Sequence, residues 1–577
     1  MSYQYIALLR GGNPPVDAHA DAELQRIGFR HHVLSDAVDL FLSPDTPSLN
    51  LPGGGLVIGH AYGRDGTPLN NTALVDQPGE SYTSGRLLAD YWGDYLLMTP
   101  ESDNRSGISI MREPSGGVPC VYSVRRGAGF VTSDISLAIR LGLYAKRIDW
   151  DYIGQCLIYP HQSTARTGLS GIWTLLPGCS LHVLAEHVFT RTEWTPWDFV
   201  VPKARHRDFS EAATQVRSAV KNVVTALGET DQSILLELSG GLDSSIVAAS
   251  LKDVHAHVSC CTLLPPVPGA DERRYAGLMA QLLGVELSTE ELGFEQACFN
   301  FAIPEHSTTP RMGPLQYAID SVMKAAGDRL GVTSHFLGAG GDTVFCYLTT
   351  AAPAVDAFKE RGLAAGAEAV RNLSELHHCT LWKAGHLCAK KALRSPKSPC
   401  KMETLFLRST AAGVVDAPEH PWFNAPEDSL PGDRERVFEL AGNQVFRESL
   451  PRGEKRRLRM PLLSQPVLEA CLRAPSWMWI SGGRNRAVAR KAFADILPAD
   501  VLNRRSKGTF MNYLGAVYQR NKFKMQQFLV EGGLHEHGLL DGAAIKHFVE
   551  GELAARDQSF TRIFDLCRIE NWVRHVN

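Results

Sequence analysis

A short apolar run that enters a glycine-rich turn constrains the fold of this chain more than any other feature. The run spans residues 234–238 (ILLEL) and is typical of a strand buried on both faces of a sheet. The turn follows at residues 239–245 (SGGLDSS), and a helical pattern begins near Asp243. A strand, a tight turn and a helix in this order predict a parallel α/β sheet whose loops collect at one edge.

The flanking segments continue the alternation of strands and helices. Before the run, Asp208 and Glu211 resemble a capping box that opens a long helix, and Gly228 suits the exit of that helix. The other predicted elements are strands at 257–264, 285–288 and 334–338 and helices at 273–283 and 485–496. Beyond about residue 360 the pattern is mostly helical. Right-handed crossovers are therefore expected between the strands.

The chain has 577 residues, which is too long for one core and indicates two to four domains. The first two hundred residues are β-rich, with Gly, Pro and Asp between short apolar stretches. Residues 194–207 (WTPWDFVVPKARHR) contain two prolines and mixed charge, and the β pattern ends there. We place a boundary near residue 205, which predicts domains at 1–205 and 206–577.

The composition excludes several classes of protein. With 44% hydrophobic and 21% charged residues, the chain is neither disordered nor a coiled coil as a whole. The net charge of −3 gives no overall basic field, so no nucleic-acid partner is expected. No apolar run approaches the roughly 20 residues of a membrane span, and the first residues lack the pattern of a signal peptide. The 12 cysteines form no CxxC pair, which indicates reduced thiols and a cytoplasmic protein.

One cluster of metal-type residues stands out: His377, His378, Cys379, His386 and Cys388. A zinc site and a set of scattered, partly buried side chains are the two interpretations. The spacing fits no zinc template, which favours the second.

The glycine turn is suited to binding phosphate. Two glycines let the backbone approach an anion, and N–H groups, serine hydroxyls and the helix N-terminus can then surround it. Asp243 is placed to hold a Mg²⁺ ion that bridges phosphates. The alternative is a plain turn between strand and helix, but two serines and an aspartate at this spacing favour a phosphate site. A Walker A loop is excluded because GxxxxGK[ST] does not occur.

SGGLDSS resembles the pyrophosphate loop of the N-type ATP pyrophosphatases, and the chain is similar to the asparagine synthetase superfamily over nearly its whole length. The matching segments are 338–345 (GAGGDTVF), 459–463 (RMPLL), 490–493 (RKAF), 497–498 (LP) and 504–508 (RRSKG). Segments 92–95 (WGDY) and 112–116 (REPSG) resemble motifs of the family's glutaminase-like domain. The resemblance implies an α/β protein with an N-terminal glutaminase-like (Ntn-type) β-rich sandwich. It also implies a C-terminal parallel-sheet ATP pyrophosphatase domain.

The resemblance also implies the roles of individual residues. The implied ATP-binding residues are Leu238, Ser239, Gly240, Gly241, Asp243, Ser244, Ser245, Thr262, Leu263, Gly338 and Ala339. The implied Mg²⁺ ligands are Asp243 and Asp342, and these two and Lys507 are the implied catalytic residues. Arg459 and Arg490 are further phosphate candidates. Glu375 is one candidate for the general base, and solvent or the departing phosphate is the other.

Two departures from the family narrow the function. Ser2 stands where the glutaminase domain has a cysteine, and serine lacks the nucleophilicity of a thiolate. The chain is therefore not expected to make ammonia from glutamine. Ala339 and Thr343 replace two glutamates of the family's second motif, while Asp342 remains.

What the resemblance leaves is activation of a carboxylate by ATP, followed by attack of an amine that belongs to the substrate itself. An intramolecular amine gains a high effective molarity. The β-lactam synthetases carry a tyrosine at the position of Ala339, so the chain looks more like the lasso-peptide cyclases. The implied reaction adenylates an Asp or Glu side chain of a leaderless core peptide. Ring closure by the N-terminal amine then gives a macrolactam with release of AMP and pyrophosphate.

The resemblance also implies partners, and alternatives stay open. A cyclase of this kind takes a ribosomal precursor peptide and works with a leader peptidase and a leader-binding protein, without nucleic acid or membrane. One alternative is an asparagine synthetase-like amidotransferase that uses free ammonia, and another is a small-ring β-lactam synthetase. A non-catalytic protein with a degenerate ATP site is the third, against which the intact SGGLDSS, Asp342 and Lys507 argue.

Overall fold

The computed structural model describes residues 3–11, 18–52, 54–71, 82–101, 107–184, 187–396, 398–409, 415–443, 450–505, 508, 510–554 and 556–576. Two antiparallel sheets occupy the chain up to residue 192, and one parallel sheet follows from residue 233. This is the predicted fold class, a β-rich sandwich followed by a parallel α/β sheet.

The N-terminal strands are β1 (Tyr5–Arg10), β2 (Arg30–Ser35), β3 (Val38–Leu42), β4 (Ser48–Asn50), β5 (Leu56–Gly63), β6 (Tyr91–Pro100), β7 (Ile108–Arg112), β8 (Val121–Arg125), β9 (Ala128–Thr132), β10 (Trp173–Thr174), β11 (Cys179–Leu184) and β12 (His187–Thr192). They form two six-stranded sheets in the orders β10-β8-β9-β1-β3-β2 and β12-β11-β7-β6-β5-β4. The sheets face each other over a common apolar core. In β1, Tyr5 and Ala7 pack into that core with Ile58 and Leu96 of the other sheet, as the two-residue period of a strand requires.

The C-terminal strands are β13 (Ser233–Glu237), β14 (His257–Leu264), β15 (Leu287–Glu291), β16 (Ser334–Phe336) and β17 (Arg457–Arg459). They pair in parallel in the order β15-β14-β13-β16-β17. Strand β13 lies between β14 and β16, so the strand order reverses at its carboxyl end. Ligands of open α/β sheets bind at this kind of position.

The helices are α1 (Ala18–Arg26), α2 (Ser84–Asp90), α3 (Ile135–Arg140), α4 (Trp150–Ile158), α5 (Trp197–Val200), α6 (Phe209–Thr230), α7 (Leu242–Ser250), α8 (Arg273–Leu283), α9 (Pro314–Leu330), α10 (Gly341–Val344), α11 (Ala352–Arg361), α12 (Leu363–Leu376), α13 (Leu381–Leu393), α14 (Pro431–Asn443), α15 (Gln465–Arg473), α16 (Ala487–Ala492), α17 (Ala499–Leu502), α18 (Met511–Val530), α19 (Gly533–Glu536), α20 (Gly542–Glu550) and α21 (Thr561–Val576). Within the described ranges, none of these helices combines the length and the apolarity that a membrane crossing needs.

Helix α6 confirms the predicted capping residue and corrects the predicted end. The Asp208 carboxylate accepts hydrogen bonds from the N–H groups of Ser210 and Glu211. The exit predicted at Gly228 is wrong, because the helix continues to Thr230. Gly228 allows close packing instead, since a Cβ there would lie 2.8 Å from Val254 Cγ1.

The other predicted elements near the sheet occur with small shifts. Strand β14 and helix α8 have the predicted bounds, and Gly284 ends α8 in the left-handed region with φ +71°. Strand β15 starts two residues later than predicted. Strand β17 was not expected, because the segment was assigned to a mostly helical region. The domain boundary at 205 stays a prediction, and the largest apolar cluster unites residues from both sides of it, such as Trp92 and Val220.

Candidate active site

The turn between β13 and α7 is held by its own polar groups. The hydroxyl oxygens of Ser239 and Ser244 lie 3.1 Å apart, and the Ser244 hydroxyl donates to the Gly241 carbonyl at 3.3 Å. Gly240 has φ +61°, and a Cβ there would lie 2.5 Å from Tyr275 Cβ. The Ser245 hydroxyl is buried without a hydrogen-bond partner among the described residues. The turn thus keeps the small side chains and compact backbone that a phosphate requires.

The loop after β16 lies directly against this turn. A Cβ on Gly338 would lie 2.6 Å from the backbone nitrogen of Ser244, and one on Gly341 would lie 2.5 Å from Asp243 Cγ. Only glycine permits this approach, which explains the glycines of the GAGGD segment. The two motifs that the sequence predicted as one site are therefore in contact. Ala339 lies in this loop, half-buried against the apolar core.

Arg486 joins the two aspartates that were predicted as Mg²⁺ ligands. Its Nη1 lies 3.0 Å from both carboxylate oxygens of Asp243 and 2.8 Å from Oδ1 of Asp342. The side chain of Asp243 is 10% exposed and that of Asp342 is 51% exposed. Arg486 has φ +52° at the start of α16, a conformation that directs its side chain back toward the loops.

The donor set fits a hard divalent cation that also contacts phosphates. Two carboxylates converge on one positively charged nitrogen, so their geometry already favours a cation between them. Mg²⁺ uses one or two protein carboxylates together with phosphate oxygens and water. A larger protein-only cage is not needed, and no group of three or more metal-type side chains is found in the described part of the chain, residues 377–388 included.

The described residues on either side of Lys507 form hydrogen bonds at or beside the glycine turn. Lys507 itself lies outside the described residues. On one side of it, Arg504 donates to the Gly240 carbonyl at 3.0 Å and to Glu272 at 2.6 Å. On the other, the Gly508 N–H donates to the same Glu272 oxygen at 2.7 Å. The described neighbours of Lys507 are thus anchored beside the glycine turn.

A pocket at the carboxyl ends of β13 and β14 collects several of the predicted nucleotide residues. It is lined by Leu238, Ser239, Thr262 and Leu263, together with residues that were not predicted to bind the nucleotide. Those are Glu237, Pro265, Ala270, Glu272, Gly508 and Phe510. An apolar slot next to the phosphate turn is suited to a purine ring.

Arg459 and Arg490 have other partners than phosphate. Arg459 is 1% exposed, and its guanidinium pairs with Asp94 at 2.6 Å and Asp231 at 3.1 Å. Arg490 donates to the carbonyls of Asn485 and Leu502, and burial lowers the pKa of its guanidinium to about 10. Both guanidinium groups thus bind other groups of the protein and connect separate segments of the chain.

The segments that resemble the glutaminase motifs border a cavity that Arg459 also lines. Asp94, from the WGDY segment, is committed to Arg459, and a Cβ on Gly117 would lie 1.9 Å from its Oδ1. Burial raises the pKa of the neighbouring Tyr3 phenol well above its usual range. Ser2 lies outside the described residues. The ion pair between Asp94 and Arg459 thus joins the β-sandwich to β17.

Sequence reasoning missed Arg486 and Tyr347 and left the role of Glu375 open. Arg486 stands four residues before Arg490 but has different partners, so this spacing is no signal for its place between the aspartates. The Tyr347 ring lies 5.4 Å from the Arg486 guanidinium and is 41% exposed. Glu375, the penultimate residue of α12, lies beside Gly483, where a Cβ would lie 3.2 Å from its Oε2.

Two solved structures resemble parts of this chain. One is the structure of the allosteric regulatory enzyme of purine biosynthesis, with a TM-score of 0.21 and 8% identity, covering 50% of this chain and 80% of that chain. The other is glutamine phosphoribosylpyrophosphate (PRPP) amidotransferase from B. subtilis complexed with ADP and GMP. Its TM-score is 0.20 and its identity 10%, covering 53% of this chain and 85% of that chain. With TM-scores this low, neither likeness supports a conclusion about this chain.

By sequence, this chain is similar to one curated protein and to one protein family. Amidase chyE from Penicillium rubens (strain ATCC 28089 / DSM 1075 / NRRL 1951 / Wisconsin 54-1255) is 26% identical over 377 residues, which are 58% of this chain and 53% of that protein. This chain thus spans about half the length of that relative. The family described as asparagine synthase matches residues 215–574, which include the glycine turn, Asp243, Asp342 and Arg486. Since the match covers more than half of its length, this chain belongs to the asparagine synthase family.

Proposed function

We propose that this chain is an ATP-dependent amide-forming ligase that acts as a lasso-peptide cyclase. The observation that carries the proposal is the contact between the glycine turn and the GAGGD loop, where Asp243 and Asp342 converge on one point. A phosphate cradle with a cation site beside it suits nucleotide activation of a carboxylate. Family membership supports ATP as the nucleotide.

The proposed reaction has two steps. A side-chain carboxylate of the peptide attacks the α-phosphorus of ATP, which forms an acyl-adenylate and releases pyrophosphate. The N-terminal amine of the same peptide then attacks the acyl carbon, loses a proton, and releases AMP as the amide forms. Adenylation replaces a poor leaving group by a good one, and holding both ends of one peptide supplies a high effective molarity.

Each described residue has a defined task in this scheme. The N–H groups and hydroxyls of the turn bind the phosphates, and the Thr262 and Leu263 region binds the purine. Asp243 and Asp342 would hold Mg²⁺, which neutralises charge on the phosphates. Arg486, released from the aspartates, can then pair with the leaving pyrophosphate, since a fixed cation near developing charge is among the larger catalytic terms. Lys507 is proposed to act in the same way.

The substrate amine is favoured over ammonia by two features. Serine replaces cysteine at position 2, and the Asp94 carboxylate in the β-sandwich is taken by Arg459. The small Ala339 also leaves space beside the aspartates for a bulky peptide. The proposed partners are a ribosomal precursor peptide, a leader peptidase and a leader-binding protein in the cytoplasm.

Pyrophosphate release with ATP and Mg²⁺ tests the proposal. The compared acceptors are aspartate with ammonium, and leaderless peptides that carry a free N-terminus and an internal Asp or Glu. Release that depends on a peptide, with loss of one water from its mass, is the expected result. Asp342→Asn should abolish it, whereas Asp495→Asn, an exposed aspartate paired with Arg217, should not. Release driven by aspartate and ammonium would replace the proposal by the amidotransferase, and release without any acceptor dependence would also contradict it.

A further inference from the structure

A second cavity lies between the N-terminal helix α4 and the C-terminal helices α9, α18 and α21. Its volume is about 550 Å³, which is in the range of small-molecule and peptide side-chain sites. It shares no lining residue with the pocket beside the glycine turn. The cavity is therefore a separate site, built from segments on both sides of the predicted boundary at residue 205.

Two arginines and one aspartate lie among the described polar residues of the cavity wall. Arg311 and Arg568 are each 8% exposed, so both guanidinium groups are held inside the protein. Asp565 is the one carboxylate among the described lining residues, and it lies 3.6 Å from Arg568 and 3.3 Å from His161. Burial alone would raise the pKa of Asp565, but the His161 hydrogen bond and the Arg568 charge lower it. The Arg568 guanidinium thus faces an ionised carboxylate on the same helix.

Arg568 keeps a donor without a partner. Its Nη1 donates to the Pro310 carbonyl, while its Nε–H is buried with no hydrogen-bond partner among the described residues. A buried charged donor left in this state costs free energy that an added acceptor would recover. The side chain therefore points to an anionic ligand.

The N-terminus of α9 is directed at the same place. Gly313 caps this 17-residue helix, and Pro314, Leu315 and Gln316 of its first turn line the cavity. A Cβ on Gly313 would lie 3.5 Å from Arg568 Cδ, so the arginine lies over the helix end. The first-turn N–H groups and the helix dipole favour an anion there.

Apolar and aromatic side chains also line the cavity, and they select the kind of anion. Tyr152, Tyr159, Leu514 and Phe564 line it. A small, fully hydrated ion gains nothing from such a wall, whereas an apolar residue that carries a carboxylate buries its side chain there. Since α9 runs antiparallel to the strands that it connects, its N-terminus lies at the sheet edge that carries the glycine turn.

From these contacts we infer that the cavity binds a carboxylate of the peptide substrate other than the one that is adenylated, attached to an apolar residue. This assignment rests on the proposed function, because it takes the substrate to be a peptide. Binding at this second point would fix the peptide while its other end reaches the aspartates. The β-sandwich then contributes to substrate binding through α4, although it makes no ammonia.

Binding without ATP tests the inference independently of turnover. The probes are the acetylated tripeptide Gly-Leu-Phe with a free C-terminal carboxylate and the same peptide as its amide, measured with the full chain by NMR line broadening or calorimetry. The acid is expected to bind at least about tenfold more tightly than the amide, since a hydrogen bond to a charged group is stronger than one to a neutral group. Acetate and inorganic phosphate are included as small anions.

Two variants and a control locate the site. Arg568→Gln removes the buried cation, and Leu315→Glu puts a carboxylate at a helix start that tolerates acidic residues. Both are expected to abolish the preference for the acid while the affinity for an ATP analogue stays unchanged. Arg520→Gln, an exposed arginine of α18, should change neither affinity.

The outcomes separate this inference from the proposed function. Equal affinity for acid and amide, no binding of the acid, tighter binding of phosphate than of the acid, or an unchanged preference in both variants would overturn the carboxylate site. Cyclisation could still occur in those cases. Conversely, binding of the acid as expected with no peptide-dependent pyrophosphate release would keep the site and contradict the cyclase.

Discussion

The guanidinium of Arg486 lies between the carboxylates of Asp243 and Asp342, 3.0 Å from the first and 2.8 Å from the second. Asp243 is largely buried, and a second carboxylate beside it would repel it in the absence of a cation. Arg486 therefore stabilises the protein before nucleotide and metal arrive. When Mg²⁺ binds to the two aspartates it must displace the Arg486 guanidinium. Protein stability and metal binding are therefore coupled at this ion pair.

Removing the arginine should expose that coupling. We expect Arg486→Gln to lower the free energy of unfolding by about 1–3 kcal/mol without Mg²⁺, because a buried charge loses its partner. Millimolar Mg²⁺ should stabilise the variant more than it stabilises the parent, and it should thereby recover part of the loss. Urea denaturation with and without Mg²⁺ measures both. Arg484→Gln, an exposed arginine two residues earlier, is the control, and equal losses in the two variants would contradict the role of Arg486.

Asp342 is predicted to matter for turnover and not for stability. Its side chain is half exposed, and Asp342→Asn removes a like charge near Asp243. The free energy of unfolding should therefore be unchanged or slightly higher. Loss of a charged group at the phosphates should reduce kcat for pyrophosphate release by about 10²-fold or more. Steady-state kinetics and thermal melting distinguish the two effects. A variant that loses activity only by melting would show that the aspartate is structural.

The close contact between the two loops gives a steric test. A Cβ at Gly338 would lie 2.6 Å from the backbone of Ser244, so Gly338→Ala must push the GAGGD loop away from the glycine turn. We expect a loss of about 1–3 kcal/mol in stability and at least about a tenfold weaker ATP affinity.

Gly385 provides the matched control for that substitution. It lies in helix α13 with nothing within 4 Å of a Cβ, so Gly385→Ala should stabilise by up to about 1 kcal/mol. Isothermal titration with an ATP analogue and urea melts measure both variants. Parental ATP affinity in Gly338→Ala would show that the loops do not act together.

The part of the site that the sequence predicted is the part that local chemistry dictates. A phosphate-binding turn needs small residues and the start of a helix, and the seven residues SGGLDSS contain both. The position of Arg486 depends on a left-handed backbone and on packing across more than two hundred residues, which no local pattern contains. Strand β17 was missed for a related reason. Its sequence, Arg457-Leu458-Arg459, is too basic for a buried strand until Asp231 and Asp94 are known to neutralise it.

A buried carboxyl pair predicts how stability depends on pH. Asp356 of α11 and Asp433 of α14 lie buried near each other, and Asp356 accepts hydrogen bonds from the Gly432 N–H and the Ser476 hydroxyl. Burial and the charge of Asp433 raise the pKa of Asp356 to about 7. The folded protein thus retains a proton that the unfolded chain loses near pH 4, so stability should fall as the pH rises from about 4 to about 7 and level off above. The difference is on the order of a few kcal/mol.

Asp356→Asn isolates this contribution, because an amide resembles the protonated carboxyl and does not titrate. Urea denaturation between pH 5 and pH 8 should show a smaller decline of stability in the variant than in the parent. The comparison uses the slope within each protein, so it holds even if the amide changes stability at every pH. Asp328→Asn serves as the control, since Asp328 is exposed and a hydrogen bond from Arg456 lowers its pKa, so it is ionised throughout this range. If the stability of Asp356→Asn and that of the parent decline in parallel with rising pH, another buried acid governs the pH dependence. Glu439, whose pKa burial raises to about 7, is then the next residue to replace.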